Sequence, residues 1–232
     1  MSKYNEYIGF EQLKEAGFVA LPVTAESSTK ADELHFKRLH MESELSLAQM
    51  VTDLECAVES LKPQDDLDQV SFHLHRTAGI MEGMETKLNL LRPPYFTPER
   101  FEKFRDLLSP ASGAQSPGFS EVRRFLGLED MESPVFKEFR NAVARYETNI
   151  TSALRSPLNP LRPVAHAMLR MATAYESWAW SHYQNTRLVV GGTPKGTGGT
   201  AGAAYLKDRV VAPFPGLWEA VGVSTPPREP RE

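Results

Sequence analysis

Met168-Leu169-Arg170-Met171-Ala172-Thr173-Ala174-Tyr175-Glu176-Ser177-Trp178-Ala179-Trp180-Ser181-His182 places its large apolar residues at helical rather than alternating spacing. Met168, Met171, Ala172, Tyr175, Trp178, Ala179 and His182 share one stripe that continues to Val189. This predicts a long helix with one imidazole facing inward near its C-terminal end. Directly beyond it come Gly191-Gly192 and the loop Lys195-Gly196-Thr197-Gly198-Gly199-Thr200, then Tyr205-Leu206 and Phe214-Pro215-Gly216-Leu217-Trp218. A side chain of the metal-ligand type therefore stands beside a backbone that can close on a small polar ligand.

Upstream, two further long helices are expected to pack on this one. Apolar residues recur at helical spacing through Phe36, Leu39, Leu47, Met50, Leu54, Val58 and Leu61, with Pro63 as the stop. His40 and Ser43 fall on that stripe and Glu44 flanks it one turn on. The next helix runs from about Asp65 to Leu91, with its core face on Leu67, Val70, Leu74, Ala78, Met81, Met84, Leu88 and Leu91, and Pro93-Pro94 closing it. Thr97-Pro98-Glu99 reads as a helix start, in which a capping hydroxyl precedes a proline and an early acid. Phe101, Phe104 and Leu108 define the inward face there, and Arg105 shares it. A guanidinium stays charged at any physiological pH, so an inward arginine must meet an acid or a bound anion.

The remaining segments are shorter. A polar loop spans Pro110 to Gly118, and short helices are expected over Ser120 to Leu126, from Ser133-Pro134 with Phe136, Phe139, Val143 and Tyr146 buried, and over Ala203 to Val211. Tyr4 to Leu13 forms a short segment and Pro22 to Lys30 a loop. No strand pattern and no internal repeat stands out, so the fold class is all-α, one domain over residues 1–222 followed by a disordered tail at 223–232.

Composition bounds the function. The 232 residues, 41% of them hydrophobic, suffice for a substantial core. With 26 basic against 30 acidic residues and a net charge of −4, no cationic block neutralises phosphates, and nucleic acid is not an expected partner. Cys56 is the one cysteine, which rules out an internal disulfide, a cysteine-rich zinc site and a thioether haem attachment, and fits a reducing cytoplasm. No apolar run approaches bilayer length and no leader pattern precedes Tyr4, so a cytoplasmic protein without a membrane partner is expected.

His35, His73, His75 and His166 read as ordinary hydrogen-bonded residues. His182, His40 and Arg105 differ, because three costly groups lie on apolar faces with no visible buried acid to pair them. The glycine-rich loop lacks the Gly-Lys-Ser/Thr ending and preceding strand of a phosphate cradle. Near His40 and Glu44 no second ligand at matching spacing suggests zinc or non-haem iron, and one histidine on a large apolar wall is closer to what haem requires.

Four blocks in order resemble tryptophan 2,3-dioxygenase and its haem-dependent aromatic oxygenase relatives. They are Asp32-Glu33-Leu34 through Phe36 to His40 and Glu44-Leu45; Thr97-Pro98 through Phe101 to Phe104-Arg105-Asp106; Ser112-Gly113-x-Gln115-Ser116; and His182 with Gly191, Gly196-Thr197-Gly198-Gly199-Thr200 and Tyr205-Leu206. The resemblance implies a helical haem b protein that uses O2, with His182 as the axial iron ligand. It further implies that Ser112, Gly113 and Trp178 border the cofactor and that Phe36 and Phe101 pack around the indole. Arg105 would pair with the amino acid carboxylate, Thr197 would hold the ammonium and carboxylate end, and His40 would meet the indole N–H. Tyr4 and Tyr7 would reach a neighbouring subunit's pocket in a homotetramer or dimer. Three outcomes stay open: ring-opening dioxygenation of L-tryptophan to N-formylkynurenine, single-oxygen insertion giving a 2-oxindole from tryptophan or β-methyltryptophan in natural-product biosynthesis, and a non-catalytic haem sensor. Ser46, Ala114 and Phe101 stand where the family usually carries tryptophan, an aromatic and tyrosine, and the smaller groups would leave room for a substituted tryptophan.

Overall fold

The computed structural model describes residues 3–15, 29–63, 66–109, 112–129, 131–191 and 202–222. Among them run eleven α-helices and no strand: α1 (Lys3–Tyr7), α2 (Phe10–Glu15), α3 (Lys30–Ser60), α4 (Leu67–Leu88), α5 (Pro98–Arg105), α6 (Pro117–Leu126), α7 (Pro134–Arg145), α8 (Ile150–Arg155), α9 (Arg162–Val189), α10 (Ala203–Lys207) and α11 (Pro215–Val221). The expected all-α class is what the chain adopts. None of the described helices is long and apolar enough to cross a membrane.

The three long helices α3, α4 and α9 form the frame, with α4 packed along both of the others. Each buries the stripe that its periodicity marks: Leu39, Leu47, Met50, Leu54 and Ala57 on α3, Val70, Leu74, Ala78, Met81 and Met84 on α4, and Met168, Met171, Ala172, Tyr175, Trp178 and Ala179 on α9. Burying such side chains stabilises by about 1.5–3 kcal/mol each for the larger ones, enough to set the register of the frame. A second, smaller core joins Phe96, Phe101, Phe104 and Val189. Phe36 is its hub, with ring centroids 5.6 to 6.1 Å from Phe96, Phe101 and Phe104.

Several expectations need correction. The helix anticipated up to Leu91 is α-helical only to Leu88 and tightens into a 3-10 turn over Asn89–Leu91, where Pro93-Pro94 lies ahead. Arg105 is the last residue of the eight-residue α5, so the inward arginine is not carried by a long helix. Thr97 does not cap α5 through its side chain, and its hydroxyl instead bonds the Glu99 carboxylate. Tyr146 falls at the end of α7 and is 37% exposed rather than buried. The helix expected from Ser120 starts at Pro117, and the one expected to Val211 stops at Lys207. Buried acids do exist, in Glu33 and Asp53. Glu33 pairs with Lys37 at 2.6 Å, and Asp53 accepts from Arg76 and from His73 at 2.8 Å.

Candidate functional site

One large cavity of about 520 Å3 lies between α3, α5, α9, α10 and the loop before α6. That is within the roughly 300–1,000 Å3 range of small-molecule and cofactor sites. His40, Phe36, Phe101, Arg105, Ser112, Gly113, Trp178 and His182 all line it. Residues spread over some 150 positions of sequence are thus brought to one wall, as their separate stripes implied. Thr197 and the rest of the glycine-rich loop lie outside the described residues, as do the 16–28 segment and the 223–232 tail. Tyr7 is 91% exposed and does not line the cavity of its own chain, and Tyr4 belongs to the same short α1.

His182 is held by a rigid helix. One residue before it, Ser181 donates to Glu85 Oε1 at 2.6 Å, Ser177 donates to the same oxygen at 2.9 Å, and three residues after it Asn185 donates to the Leu88 carbonyl at 2.7 Å. These bonds fix α9 against α4 on both sides of the imidazole. Trp178, one turn earlier, stacks on the His182 ring at 5.0 Å and 25°, and Phe119 stacks on Trp178 at 4.3 Å. Burial first, and the nearby His40 second, push the His182 pKa down to about 4, so the ring is neutral at pH 7.

The other five histidines all have hydrogen-bond partners. His35 and His166 donate to the Leu90 and Leu154 carbonyls, His40 to the Phe36 carbonyl, His73 meets Asp53, and His75 accepts from Arg170. Among the described residues only His182 has none, although it sits on an apolar wall. A neutral imidazole with an unengaged nitrogen lone pair is a ready metal ligand. Among the described residues no three His, Cys, Asp or Glu side chains converge into a metal site. A metal bound at His182 would therefore have to bring most of its own ligands, as a macrocycle does, and the apolar walls beside Trp178 and Phe119 suit a flat one.

His40 differs in tautomer. Its Nδ1–H donates to the Phe36 carbonyl at 2.8 Å, and because a carbonyl only accepts, Nδ1 must carry the proton. Nε2 then bears a lone pair. Desolvation lowers the His40 pKa, outweighing the Phe36 bond and the Glu44 charge that raise it. By area His40 counts as exposed, yet desolvation dominates its titration, because the accessible area is cavity wall rather than bulk surface.

Sequence reasoning missed how the mouth loop is held. Glu44 accepts a hydrogen bond from the Ser116 hydroxyl at 2.5 Å and another from the Gly118 N–H at 3.2 Å, so one carboxylate ties α3 to the start of α6. Gln115 Oε1 accepts from the Ser112 N–H and the Ser112 hydroxyl from the Ala114 N–H, which closes the turn that lines the cavity. Glu44 and Ser116 are 72 residues apart, and their placement in two of the resemblance blocks was the available signal. Of the three smaller residues noted at family positions, Ala114 and Phe101 line the cavity and Ser46 does not. The Ser46 hydroxyl bonds back to the Glu42 carbonyl at 2.9 Å.

Comparison with known proteins identifies the family. The family model described as tryptophan 2,3-dioxygenase matches residues 1–158. The tryptophan 2,3-dioxygenase of Anaeromyxobacter sp. (strain K) is 24% identical, covering 94% of this chain and 95% of its own. That of Nocardioides sp. (strain ATCC BAA-499 / JS614) is 25% identical over 93% and 92%, and that of Xanthomonas campestris pv. campestris (strain B100) 24% over 84% and 81%. Coverage of 94% leaves too few residues at either end to exclude His182 from the first alignment. With a model matching well over half of its length, and with near full-length relatives of one name, this chain belongs to the tryptophan 2,3-dioxygenase family.

Proposed function

We propose that the protein is a haem-dependent oxygenase that uses O2 to oxidise the indole ring of L-tryptophan or a tryptophan derivative. The observation that carries this reading is His182, a neutral imidazole without a hydrogen-bond partner among the described residues, on the apolar wall of a cavity of about 520 Å3. His182 would hold the iron of haem b, with Trp178, Ser112 and Gly113 bordering the macrocycle. The bound haem supplies the oxygen chemistry, and the chain supplies orientation.

The residues around it have roles that follow from their chemistry. Arg105 offers a planar fork of donors to the amino acid carboxylate in a largely apolar site. His40, with its proton committed to the Phe36 carbonyl, presents Nε2 as an acceptor and so would orient the indole N–H rather than act as an obligatory base. Phe36 and Phe101 would contact the ring faces, and the walls they share with Phe96 and Phe104 exclude water. Thr197 is proposed to hold the ammonium and carboxylate end on the family resemblance alone. The exposure of Tyr7 fits an N-terminal segment that docks on a second copy, in a homo-oligomer.

Ring opening to N-formylkynurenine is the first reading of the outcome. Single-oxygen insertion to a 2-oxindole is the second reading, kept because Ala114 lines the cavity, where a small side chain would leave room for a β-methylated substrate. Arg105 on the cavity wall speaks for an amino acid ligand and against a ligand-free haem sensor. The deciding experiment is mass spectrometry of the product from haem-loaded protein given L-tryptophan and β-methyltryptophan under labelled O2, with and without ascorbate. Two labelled oxygens establish the dioxygenase, one that depends on reductant establishes the monooxygenase, and no product with either substrate sinks the oxygenase reading.

A further inference from the structure

At the end of the cavity formed by α6, α9 and α10 there is a second cationic locus. Arg123 on α6 and Arg209 just beyond α10 both aim their Nε at one carboxylate, Glu129, at 3.4 and 3.2 Å. Neither approach has hydrogen-bond geometry: both Nε atoms and the Glu129 Oε1 are buried without a hydrogen-bond partner among the described residues. The side chains are only 15% and 21% exposed, and Glu129 adopts a left-handed backbone, φ 57°, that a non-glycine residue rarely takes. The two Nε donors therefore share a single, poorly aligned carboxylate, and Arg209 adds one long bond from Nη1 to the Tyr205 carbonyl at 3.5 Å. Asp208 borders the same recess but is solvent-exposed and forms no ion pair with either arginine.

Both arginines line the main cavity, whereas Glu129 borders only the side recess behind them. Seen from the cavity, that wall offers positive charge without a facing carboxylate. Tyr175, 3% exposed, lies between the two compartments. Burial, ahead of the opposing influence of Arg123, pushes its pKa up to about 12, so its hydroxyl keeps its proton and remains a donor. Arg209 is held from the other side, its guanidinium carbon 3.5 Å from the centroid of the Tyr205 ring. Because both Nε atoms turn toward Glu129, a ligand carboxylate in the cavity would meet the guanidinium atoms that line it, as a second partner for each arginine.

We propose that Arg123 and Arg209, with the Tyr175 hydroxyl, form a carboxylate-binding end of the cavity separate from Arg105. Arg105 does not border the recess that these residues share. The carboxylate would be carried either by the macrocycle, as a haem propionate, or by the amino acid substrate, in which case this site takes the place of Arg105 as its anchor. The first source rests on the haem reading above, and its position on α6 and after α10 would tie the cofactor to two elements besides α9.

The test titrates the full-length apoprotein with iron protoporphyrin IX and with its dimethyl ester, whose carboxylates are blocked, reading the Soret band and tryptophan quenching. Wild type should bind the free acid about tenfold or more tightly than the ester, and Arg123→Gln with Arg209→Gln should erase that difference. The ester comparison on wild type needs no variant, and Arg123→Lys keeps the charge should the glutamine fail to fold. If haem affinity is indifferent to both ester and variants while tryptophan affinity falls about tenfold, the carboxylate is the substrate's and the site stands. Indifference of both ligands overturns the proposal while leaving a His182-dependent Soret band, and hence the haem reading, intact. If wild type binds neither porphyrin but binds tryptophan through the arginines, the haem reading fails and the carboxylate site survives.

Discussion

Gly118→Ala sets two effects of known sign against each other. Gly118 is the second residue of α6, where alanine is the better helix former by about 1 kcal/mol, so propensity alone makes the change stabilising. A Cβ at this position, however, would lie 2.6 Å from Leu47 Cβ, 2.8 Å from Glu44 Oε2 and 3.0 Å from Leu47 Cδ1. Leu47 Cβ is anchored to the α3 backbone and cannot swing aside, so α6 must retreat by roughly an ångström from van der Waals contact. Overpacking of this kind costs about 1–3 kcal/mol. The retreat also stretches the 3.2 Å bond from the Gly118 N–H to Glu44, a charge-assisted bond worth about 1.5–3 kcal/mol when intact. Allowing for partial relaxation and the propensity gain, a net loss of about 2–4 kcal/mol is expected. Urea unfolding of the apoprotein measures it, and haem titration should show weaker binding, since the displaced loop carries Ser112 and Gly113 of the cavity wall. A variant as stable as wild type, or more so, would refute the claim that Glu44 and Leu47 clamp the mouth loop through Gly118.

Other outcomes follow from the same site. Arg105→Leu should raise the Kd for L-tryptophan by the equivalent of about 2–4 kcal/mol with haem retained, as read by a substrate-induced shift of the Soret band. His182→Ala should lose haem, and bound haem with an unchanged spectrum would remove the ligand assignment. His40→Ala should slow turnover of L-tryptophan more than that of 1-methyltryptophan, which has no indole N–H; equal effects in steady-state kinetics would show that His40 does not read that proton. Asp53→Asn should destabilise by about 1–3 kcal/mol, below the usual cost of breaking a buried pair because Arg76 is 42% exposed and can turn to water. Burial raises the Asp53 pKa, but bonds from Arg76, His73 and Gln49 outweigh it and hold the pKa below the ordinary 3.8. The unfolded chain then binds the proton more readily, so Asp53 contributes its stability above about pH 3.8 and loses it as pH falls through the lower folded value. Acid titrations of unfolding should accordingly show a shallower loss below that pH in Asp53→Asn.

Much of the frame was legible because α3, α4 and α9 each present one uninterrupted apolar stripe, and His40 and His182 fall on two of those stripes. Arg105 was legible for the same reason, sharing a face with Phe101 and Phe104. What escaped notice lacks periodicity. Asp53 stands three residues after Met50 and four before Ala57, squarely on the core face of α3, but a single acid there is invisible until its partners Arg76 and His73 on α4 are known. The Glu44 contacts with Ser116 and Gly118 depend on two elements meeting across more than 70 residues, and no local pattern encodes that. Arg123, Arg209 and Glu129 come together for the same kind of reason, through the path of the chain after α6 and α10. Tyr146 was misread because helical spacing continued through Val143 while the helix itself stopped one residue short of it.

The hydrogen bonds that lock α9 to α4 around His182 run from Ser177, Ser181 and Asn185 to Glu85 and Leu88, and none of them involves α3, α5 or the loop before α6. His40, Phe36, Phe101, Arg105 and Ala114 all belong to those other elements. The polar bonds that hold the imidazole are therefore distinct from the side chains on the opposite wall, even though the two walls share packing through α4 on α3 and through Val189 against Phe101 and Phe104. Ala114, on the loop and outside that shared core, is thus the position where selection or a protein engineer can reshape the wall for a bulkier indole with least disturbance of the imidazole.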